Sequence, residues 1–403
     1  MSNVPKLRAC LLTLVSRRWN YNFGAFLQAY ATQVILEKMG VESQILDYVR
    51  ESKGLSDTKN NFKKLIKLKS IPEIYMRIGH TLNLRLFNLK HKRKNRIRSK
   101  SFQVFALENL KFTDKTYYGI GDIENDLDYF KNNFDVFIIG SDQVWNPNNP
   151  DIDIYLLNFI ESKTKISYAS SVGDPIPENL FSIYKKSLPH FRAISVREKT
   201  SKEYIQKATD LEPEVVLDPL LLLDKAELEE LGRSPSENIT KQYLFVYDLY
   251  RPKKIIAVAQ KIAKKNGWKI INHTPINSLD RLRFPLIEFS FYTKSPLEFV
   301  WLIKNADYVI SSSFHGVALA VQFEKPFYAV LPAIKNKNLG YMSNSRILDF
   351  LELVGLKDRA VAYPEDLLKK EFTNNIDWVN VHQKIEREKK RSLDFLKSAL
   401  GSN

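Results

Sequence analysis

A histidine stands among serines and a glycine where an apolar segment ends, in the sequence DYVISSSFHGVALAVQF of residues 307–323. Residues 308–310 predict a buried strand, and residues 317–323 predict a short helix. The turn between them brings together the His315 imidazole, serine hydroxyls and the free N–H groups of a helix start. These groups can bind an anion and transfer a proton, so His315 is a candidate general acid or base. The alternative is a histidine that is hydrogen-bonded within its own turn.

Polar residues also follow other apolar strands of the sequence. The strand predicted at 134–139 ends in GSDQVWN, and the strand that begins at residue 165 ends in SSVG. Polar groups beside an indole suit a sugar, which accepts hydrogen bonds and stacks on the Trp145 ring, although a rigid turn is the alternative. Since ligands bind beyond the carboxyl ends of parallel strands, we expect an acceptor-binding group that consists of Asn22, Gly24, Ser141, Asp142, Gln143, Trp145 and Ser170.

An arginine follows the strand predicted at 191–196. Arg197 begins a helix there, where its charge opposes the helix dipole unless an anion binds beside it. A simple pair with Glu198 is the alternative. Asp218, which precedes a proline, is predicted to be a turn or capping residue.

The elements that would position these residues alternate between strand and helix. The chain opens with a strand at 7–15, a helix at 25–39 and a strand at 41–48, and the alternation returns between 192 and 331. A chain of 403 residues is too long for one ordinary core, so an α/β fold with two Rossmann-like domains is predicted. The expected units are residues 1–190 with a basic helical insertion at about 51–110, residues 191–372, and a C-terminal helix within 373–403 that packs back on the first domain.

Basic charge is concentrated in one stretch of this chain of net charge +15. Residues 90–100 hold seven lysines and arginines, and apolar residues recur at helical spacing upstream, so residues 62–100 are predicted to contact an anionic membrane surface. A solvated helical insertion is the alternative. Nucleic acid is not an expected partner, because the charge is local and no binding motif accompanies it.

Cysteine and histidine usage exclude several other classes of protein. The single Cys10 and the absence of a signal peptide predict a cytoplasmic protein, with peripheral attachment to the inner face of the membrane as a further expectation. The six histidines are scattered without ligand spacing, so no metal is predicted. The sequence has neither a P-loop nor a complete dinucleotide fingerprint, so no cofactor is predicted.

The ordered set of motifs resembles the polysaccharide pyruvyl transferase family. The motifs are NYNFGAFLQAY from residue 20, GSDQVWN from 140, YASSVG from 168, SVR from 195, VLDP from 216 and SSFHG from 312. The resemblance implies two Rossmann-like domains facing a cleft, as in GT-B enzymes. It also implies transfer of pyruvate from phosphoenolpyruvate, a co-substrate, onto two hydroxyls of a sugar in a surface polysaccharide or its lipid-linked precursor, with formation of a cyclic ketal.

The resemblance also assigns residues to the donor. His315 and Arg197 match the histidine and arginine that are implicated in donor binding and catalysis. Some members carry arginine two residues before the histidine, where this chain has Ser313, so Arg346, Lys325 or Arg197 must supply the cation instead. The expected donor-binding residues of the second domain are Ser312, Ser313, Gly316 and Arg346. The alternatives are a GT-B glycosyltransferase that uses a nucleotide sugar and a non-catalytic glycan-binding protein of the same fold.

Overall fold

The computed structural model describes residues 6–18, 21–50, 89–161, 163–239, 241–250, 252–331 and 344–401. Its first parallel sheet is built from six strands, which are β1 (Arg8–Leu12), β2 (Glu42–Ile45), β5 (Val136–Ile139), β6 (Thr164–Ser170), β7 (Ala193–Val196) and β8 (Glu214–Val215). Their order is β2-β1-β5-β6-β7-β8. Strands β3 (Tyr48–Val49) and β4 (Tyr117–Tyr118) form a separate pair beside it.

The second parallel sheet also has six strands. They are β9 (Tyr243–Tyr247), β10 (Lys269–Asn272), β11 (Ile287–Ser290), β12 (Tyr308–Ser311), β13 (Phe327–Val330) and β14 (Ala360–Val361). Their order is β11-β10-β9-β12-β13-β14. The two sheets, each covered by helices, confirm the predicted α/β fold with two Rossmann-like domains.

Helices connect the strands and cover both sheets. In chain order they are α1 (Phe23–Lys38), α2 (Lys92–Asn109), α3 (Gly119–Glu124), α4 (Leu127–Asn133), α5 (Ile152–Tyr155), α6 (Phe181–Ser187), α7 (Lys199–Thr209), α8 (Lys225–Leu231), α9 (Pro252–Asn266), α10 (Ser278–Arg283), α11 (Pro296–Lys304), α12 (Phe314–Gln322), α13 (Ser345–Val354) and α14 (Trp378–Leu400).

Local sequence signals account for several of these boundaries. Ser295 caps α11 by accepting from the Glu298 N–H, and the Glu298 carboxylate accepts from the Ser295 N–H in return. This reciprocal capping box was predicted from the spacing of the two residues. The central strands β5, β9 and β12 are buried throughout, because helices cover both faces of a parallel sheet.

The boundary between the domains differs from the predicted one. Strands β7 and β8 pair with the first sheet, in which β7 lies beside β6. The second sheet begins with β9 at Tyr243, so assigning residues 191–215 to the second domain was wrong. The reason is that alternating strands and helices reveal a parallel sheet without revealing which sheet a strand joins.

The C-terminal helix α14 contacts both domains. Near its end, the Ser392 hydroxyl accepts from the Leu217 N–H at 2.9 Å, and Phe395 lies against Tyr168 of β6. Near its start, His382 lies 2.9 Å from the Glu324 carboxylate of the second domain. The helix therefore ties the second domain to the first.

Helix α2 is part of the predicted basic insertion, whose residues 51–88 lie outside the described part of the chain. Its inner face buries Phe102, Phe105 and Ala106 in a hydrophobic cluster to which both domains contribute. Phe102 and Phe105 pack edge to face on Phe26 of α1. Within the described residues, no helix combines the length and the apolar character that crossing a bilayer requires.

Candidate functional site

A cleft of 230 Å³ opens between the two domains, where the carboxyl ends of β5, β9 and β12 meet. This position follows from the fold, because parallel strands direct the loops after them to one edge of the sheet. Seven of the predicted site residues line the cleft: Asn22, Asp142, Gln143, Ser312, Ser313, His315 and Arg346.

His315 lies in the first turn of α12, and its ring packs directly against α1. A Cβ atom placed on Gly24 would lie 2.0 Å from the His315 Nδ1 atom, so only glycine fits beside this ring. On the other side, the His315 Nε2 atom is 3.5 Å from the Asp218 carboxylate. The histidine therefore has a partner from a distant segment of the chain, rather than only groups of its own turn.

Asp218 connects the residues behind the cleft. Its Oδ2 atom accepts from Arg197 Nη1 and from the Ser141 hydroxyl, each at 2.8 Å. Burial favours a higher pKa for this carboxyl, but the neighbouring His315 and Arg197 outweigh burial and hold the pKa of Asp218 below its usual range. Asp218 is therefore a carboxylate that can orient the imidazole of His315.

The sequence identified only part of the role of Asp218. The predicted capping role is confirmed, because Asp218 Oδ1 accepts from the Leu220 N–H at 3.0 Å. Its contact with His315 was missed. The apolar run after Pro219 indicated that the segment is buried, but no sequence signal places Asp218 beside a histidine of the other domain.

Arg197 is enclosed rather than exposed to the cleft. Its guanidinium lies 2.8 Å from Asp218, 3.5 Å from Glu198 and 3.7 Å from Asp142, and it covers the Phe314 ring at 4.4 Å. Burial acts to lower the pKa of Arg197, but the three carboxylates outweigh it and raise the pKa. The pair with Glu198, given above as the alternative, is therefore present, and the charge of Arg197 is already balanced within the protein.

Besides the enclosed Arg197, four more of the predicted site residues do not face the cleft. Trp145 is fully buried, and its indole N–H donates to the Tyr155 carbonyl oxygen, so the expected stacking on a sugar was wrong. The sequence locates the end of the strand but not the direction of each side chain. The other three face inward: the Ser141 hydroxyl binds Asp218, the Ser170 hydroxyl binds the Gly140 carbonyl oxygen, and Gly316 packs on Ser311.

Arg346 is the predicted replacement cation that lines the cleft. Its guanidinium lies beside Tyr250. Burial raises the pKa of Tyr250, and the positive charge of Arg346 acts to lower it. Lys325 lies after the opposite end of α12, where its N–H donates to the Ala320 carbonyl oxygen. Tyr250, which also lines the cleft, was missed because its sequence DLYRP carries no recognisable motif.

The first-domain side of the cleft is built from two strand-to-helix turns. Asn22 caps α1 by accepting from the Ala25 N–H at 3.2 Å. Asp142 has a left-handed backbone with φ of 77°, which aspartate tolerates better than most residues. Gln143 fits against Gly173, where a Cβ atom would lie 2.1 Å from its amide nitrogen. These turns bring amide and carboxylate groups to the cleft.

Comparison with solved structures supports the description of the fold. The fold is similar to a UDP-N-acetylglucosamine 2-epimerase (TM-score 0.51, 10% identity, covering 99% of this chain and 97% of the other). It is also similar to a glycosyltransferase from Rickettsia africae (TM-score 0.50, 10% identity, covering 99% and 100%). These similarities concern the GT-B-like fold. No curated protein sequence matches the chain.

A family comparison addresses the sequence itself. The family model described as polysaccharide pyruvyl transferase matches residues 22–332, which include the cleft residues Asn22, Asp142 and His315. The match covers most of the chain, from the start of α1 to the end of β13. The chain therefore belongs to the polysaccharide pyruvyl transferase family.

Proposed function

We propose that this protein transfers the pyruvyl group of phosphoenolpyruvate onto two hydroxyls of a sugar and forms a cyclic ketal. Membership of the family supports a transferase that acts on polysaccharide. The observation that carries the finer proposal is the position of His315, which lines the interdomain cleft and lies 3.5 Å from the Asp218 carboxylate.

The proposed reaction needs a proton on carbon. Protonation of the phosphoenolpyruvate methylene makes the central carbon electrophilic, and a first sugar hydroxyl then adds there. The second hydroxyl adds as phosphate leaves, so one hydroxyl proton ends on the new methyl group and the other is taken up by phosphate. His315 is the proposed proton donor, because an imidazole changes protonation state near neutral pH.

The donor needs positive charge for its carboxylate and phosphate groups. Arg346 lines the cleft, and the start of α12 presents backbone N–H groups there. Arginine binds such anions through two parallel hydrogen bonds, and a helix start adds a partial positive charge. We assign the donor to this second-domain wall. The enclosed Arg197 acts through Asp218 rather than on the donor itself.

The acceptor is assigned to the opposite wall. Asn22, Asp142 and Gln143 bring amide and carboxylate oxygens to the first-domain side of the cleft. Such groups suit sugar hydroxyls, which both donate and accept hydrogen bonds. A sugar held there would face the donor across the cleft.

The test is phosphate release from phosphoenolpyruvate in the presence of candidate glycans, with mass spectrometry of the product. We expect His315→Ala to lower the rate by about 100-fold or more, since general acid catalysis contributes about 10²–10⁴-fold. His190→Ala, which removes an exposed histidine, is the matched control and should keep the wild-type rate.

Three results would contradict the proposal. A normal rate in His315→Ala would remove this histidine from the chemistry. If a uridine diphosphate sugar protects the protein against thermal unfolding and phosphoenolpyruvate does not, the protein is a glycosyltransferase. Glycan binding without affinity for phosphoenolpyruvate would indicate a non-catalytic protein.

A further inference from the structure

Three of the most exposed large apolar side chains belong to α10 or lie just before α2. Leu279 and Leu282 of α10 are 74% and 80% exposed, and Leu89, just before α2, is 71% exposed. Scattered exposed leucines are ordinary, but a group of them at the junction of two helices indicates a contact surface.

The two helices are neighbours although they belong to different domains. The Lys94 ammonium of α2 donates to the Ile276 carbonyl oxygen, directly before the cap of α10. His91 and Lys94 also lie within electrostatic reach of Asp280 in α10. The start of α2 and the start of α10 are therefore adjacent at the surface of the molecule.

Exposed basic residues lie on both of these helices. Arg93, Arg96 and Ile97 are exposed on α2, and the same face continues through Lys100, Val104 and Leu107 at helical spacing. Arg281 and Arg283 flank Leu282 on α10. Asp280 opposes this charge, but its carboxylate accepts from the Asn277 N–H and closes the helix cap. We name the surface the basic–apolar platform and define it by Leu89, Arg93, Arg96, Ile97, Leu279 and Leu282.

We propose that the basic–apolar platform docks on the surface of a bilayer that contains anionic lipid. Leucines at the surface enter the boundary between headgroups and acyl chains, and arginines beside them bind lipid phosphates. A nucleic acid would match the charge but not the exposed leucines. The role of this docking rests on the proposed function, because docking would bring the cleft to an acceptor that is carried on a lipid.

The test is binding of the full-length protein to vesicles of phosphatidylcholine alone and of phosphatidylcholine mixed with phosphatidylglycerol. We expect binding only to the anionic vesicles and weaker binding as salt increases. Replacing Arg93 and Arg96 together by glutamine should weaken binding about 25-fold, since each basic residue contributes about fivefold. Replacing Leu279 and Leu282 together by serine should weaken it about tenfold or more.

Matched controls come from exposed residues elsewhere. Val379→Ser removes an apolar side chain that is 70% exposed on α14. Lys261→Gln with Lys264→Gln removes two exposed charges from α9. Both controls should bind vesicles as the wild type does, and a thermal unfolding curve for each variant checks that it is folded.

The outcomes separate this inference from the proposed function. Vesicle binding is measured without donor or acceptor, and the platform variants should release phosphate at the wild-type rate with a water-soluble acceptor. Equal binding to both kinds of vesicle, or equal binding by platform and control variants, would overturn the inference. A dimer that dissociates in the Leu279→Ser, Leu282→Ser variant would also overturn it, because the platform would then join two copies of the chain.

Discussion

At the scale of single residues, Asp218 joins the two halves of the site. It accepts from Arg197 and Ser141, which belong to the first domain, and it lies beside His315 of the second. All four side chains are buried. Removing one charge from such a group is costly, because the partner that remains is left uncompensated in a medium of low polarity.

Asp218→Asn should therefore destabilise the protein by about 3–5 kcal/mol at pH 7. The pKa of Asp218 is lower in the folded protein than the value of about 3.9 in an unfolded chain. The carboxylate therefore stabilises the fold above about pH 4 and progressively less as the pH falls through its folded pKa. The difference between wild type and variant should thus be largest at pH 7 and shrink below pH 4.

Urea unfolding at several pH values measures this difference. Asp128→Asn, which changes an exposed aspartate of α4, is the control and should stay within about 0.5 kcal/mol of wild type. A difference between wild type and Asp218→Asn that stays constant from pH 7 to pH 3 would contradict the assignment of a charged Asp218.

Sequence alone located most cleft residues because strand ends are visible in it. The runs before Asp142 and His315 are apolar and break into polar residues, which marks the carboxyl ends of strands. Side-chain direction is not visible in the same way. Trp145 follows a strand end, but it points into the core, and Asp218 was identified only as a cap.

At the scale of elements, the starts of two helices meet across the cleft. Helix α1 begins beside Asn22, and helix α12 begins beside Ser313, so both present N-terminal turns to the same space. Gly24 allows the contact, because its missing side chain makes room for the His315 ring. The position of the imidazole thus depends on a residue of the other domain.

Gly24→Ala should displace the His315 ring and lower phosphate release by about tenfold or more. A new Cβ would overlap the ring at 2.0 Å, whereas alanine favours a helix by about 1 kcal/mol over glycine. The variant should therefore lose activity without a comparable loss of stability. Steady-state kinetics and thermal unfolding on the same sample measure both.

Gly121→Ala in α3 is the matched control. A Cβ at Gly121 would have no neighbour within 4 Å, so this variant should keep wild-type activity. If Gly24→Ala is as active as Gly121→Ala, phosphate release does not depend on the position of the His315 ring.

Local signals were sufficient to predict most elements but not their grouping. The periodicity of α1 and the capping box of α11 are properties of neighbouring residues, and both elements formed as expected. The sequences of β7 (AISV) and β8 (EV) are short and carry no signal that assigns them to one sheet or the other. The pairing of β7 with β6, and of β8 with β7, places both strands in the first sheet, and local sequence does not encode this pairing.

At the scale of the whole molecule, aromatic residues of both domains meet beside the cleft. Phe23 of α1 stacks on Phe299 of α11, with ring centroids 4.5 Å apart. Arg98 of α2 lies 4.8 Å from the ring centroids of Phe23, Phe102 and Tyr292. A basic run in the sequence predicted only a surface role for this segment, because the aromatic partners come from three separate parts of the chain.

The hydrogen bonds of Arg98 also cross between the domains. Its guanidinium donates to the Tyr21 carbonyl oxygen of the first domain and to the Tyr292 carbonyl oxygen of the second. Burial, followed by the Arg98 charge, holds the pKa of His273 well below its usual value, so this imidazole stays neutral beside the arginine at 3.4 Å. Arg98 therefore holds the first domain against the second next to the interdomain cleft.

Arg98→Ala should destabilise the protein by about 2–4 kcal/mol, since it removes buried charged hydrogen bonds and cation–π contacts. It should also let the domains separate, which X-ray scattering in solution would detect as an increased radius of gyration. Arg96→Ala, on the exposed face of the same helix, is the matched control and should change stability by no more than about 0.5 kcal/mol. If both variants have the same stability and dimensions, helix α2 does not hold the two domains together.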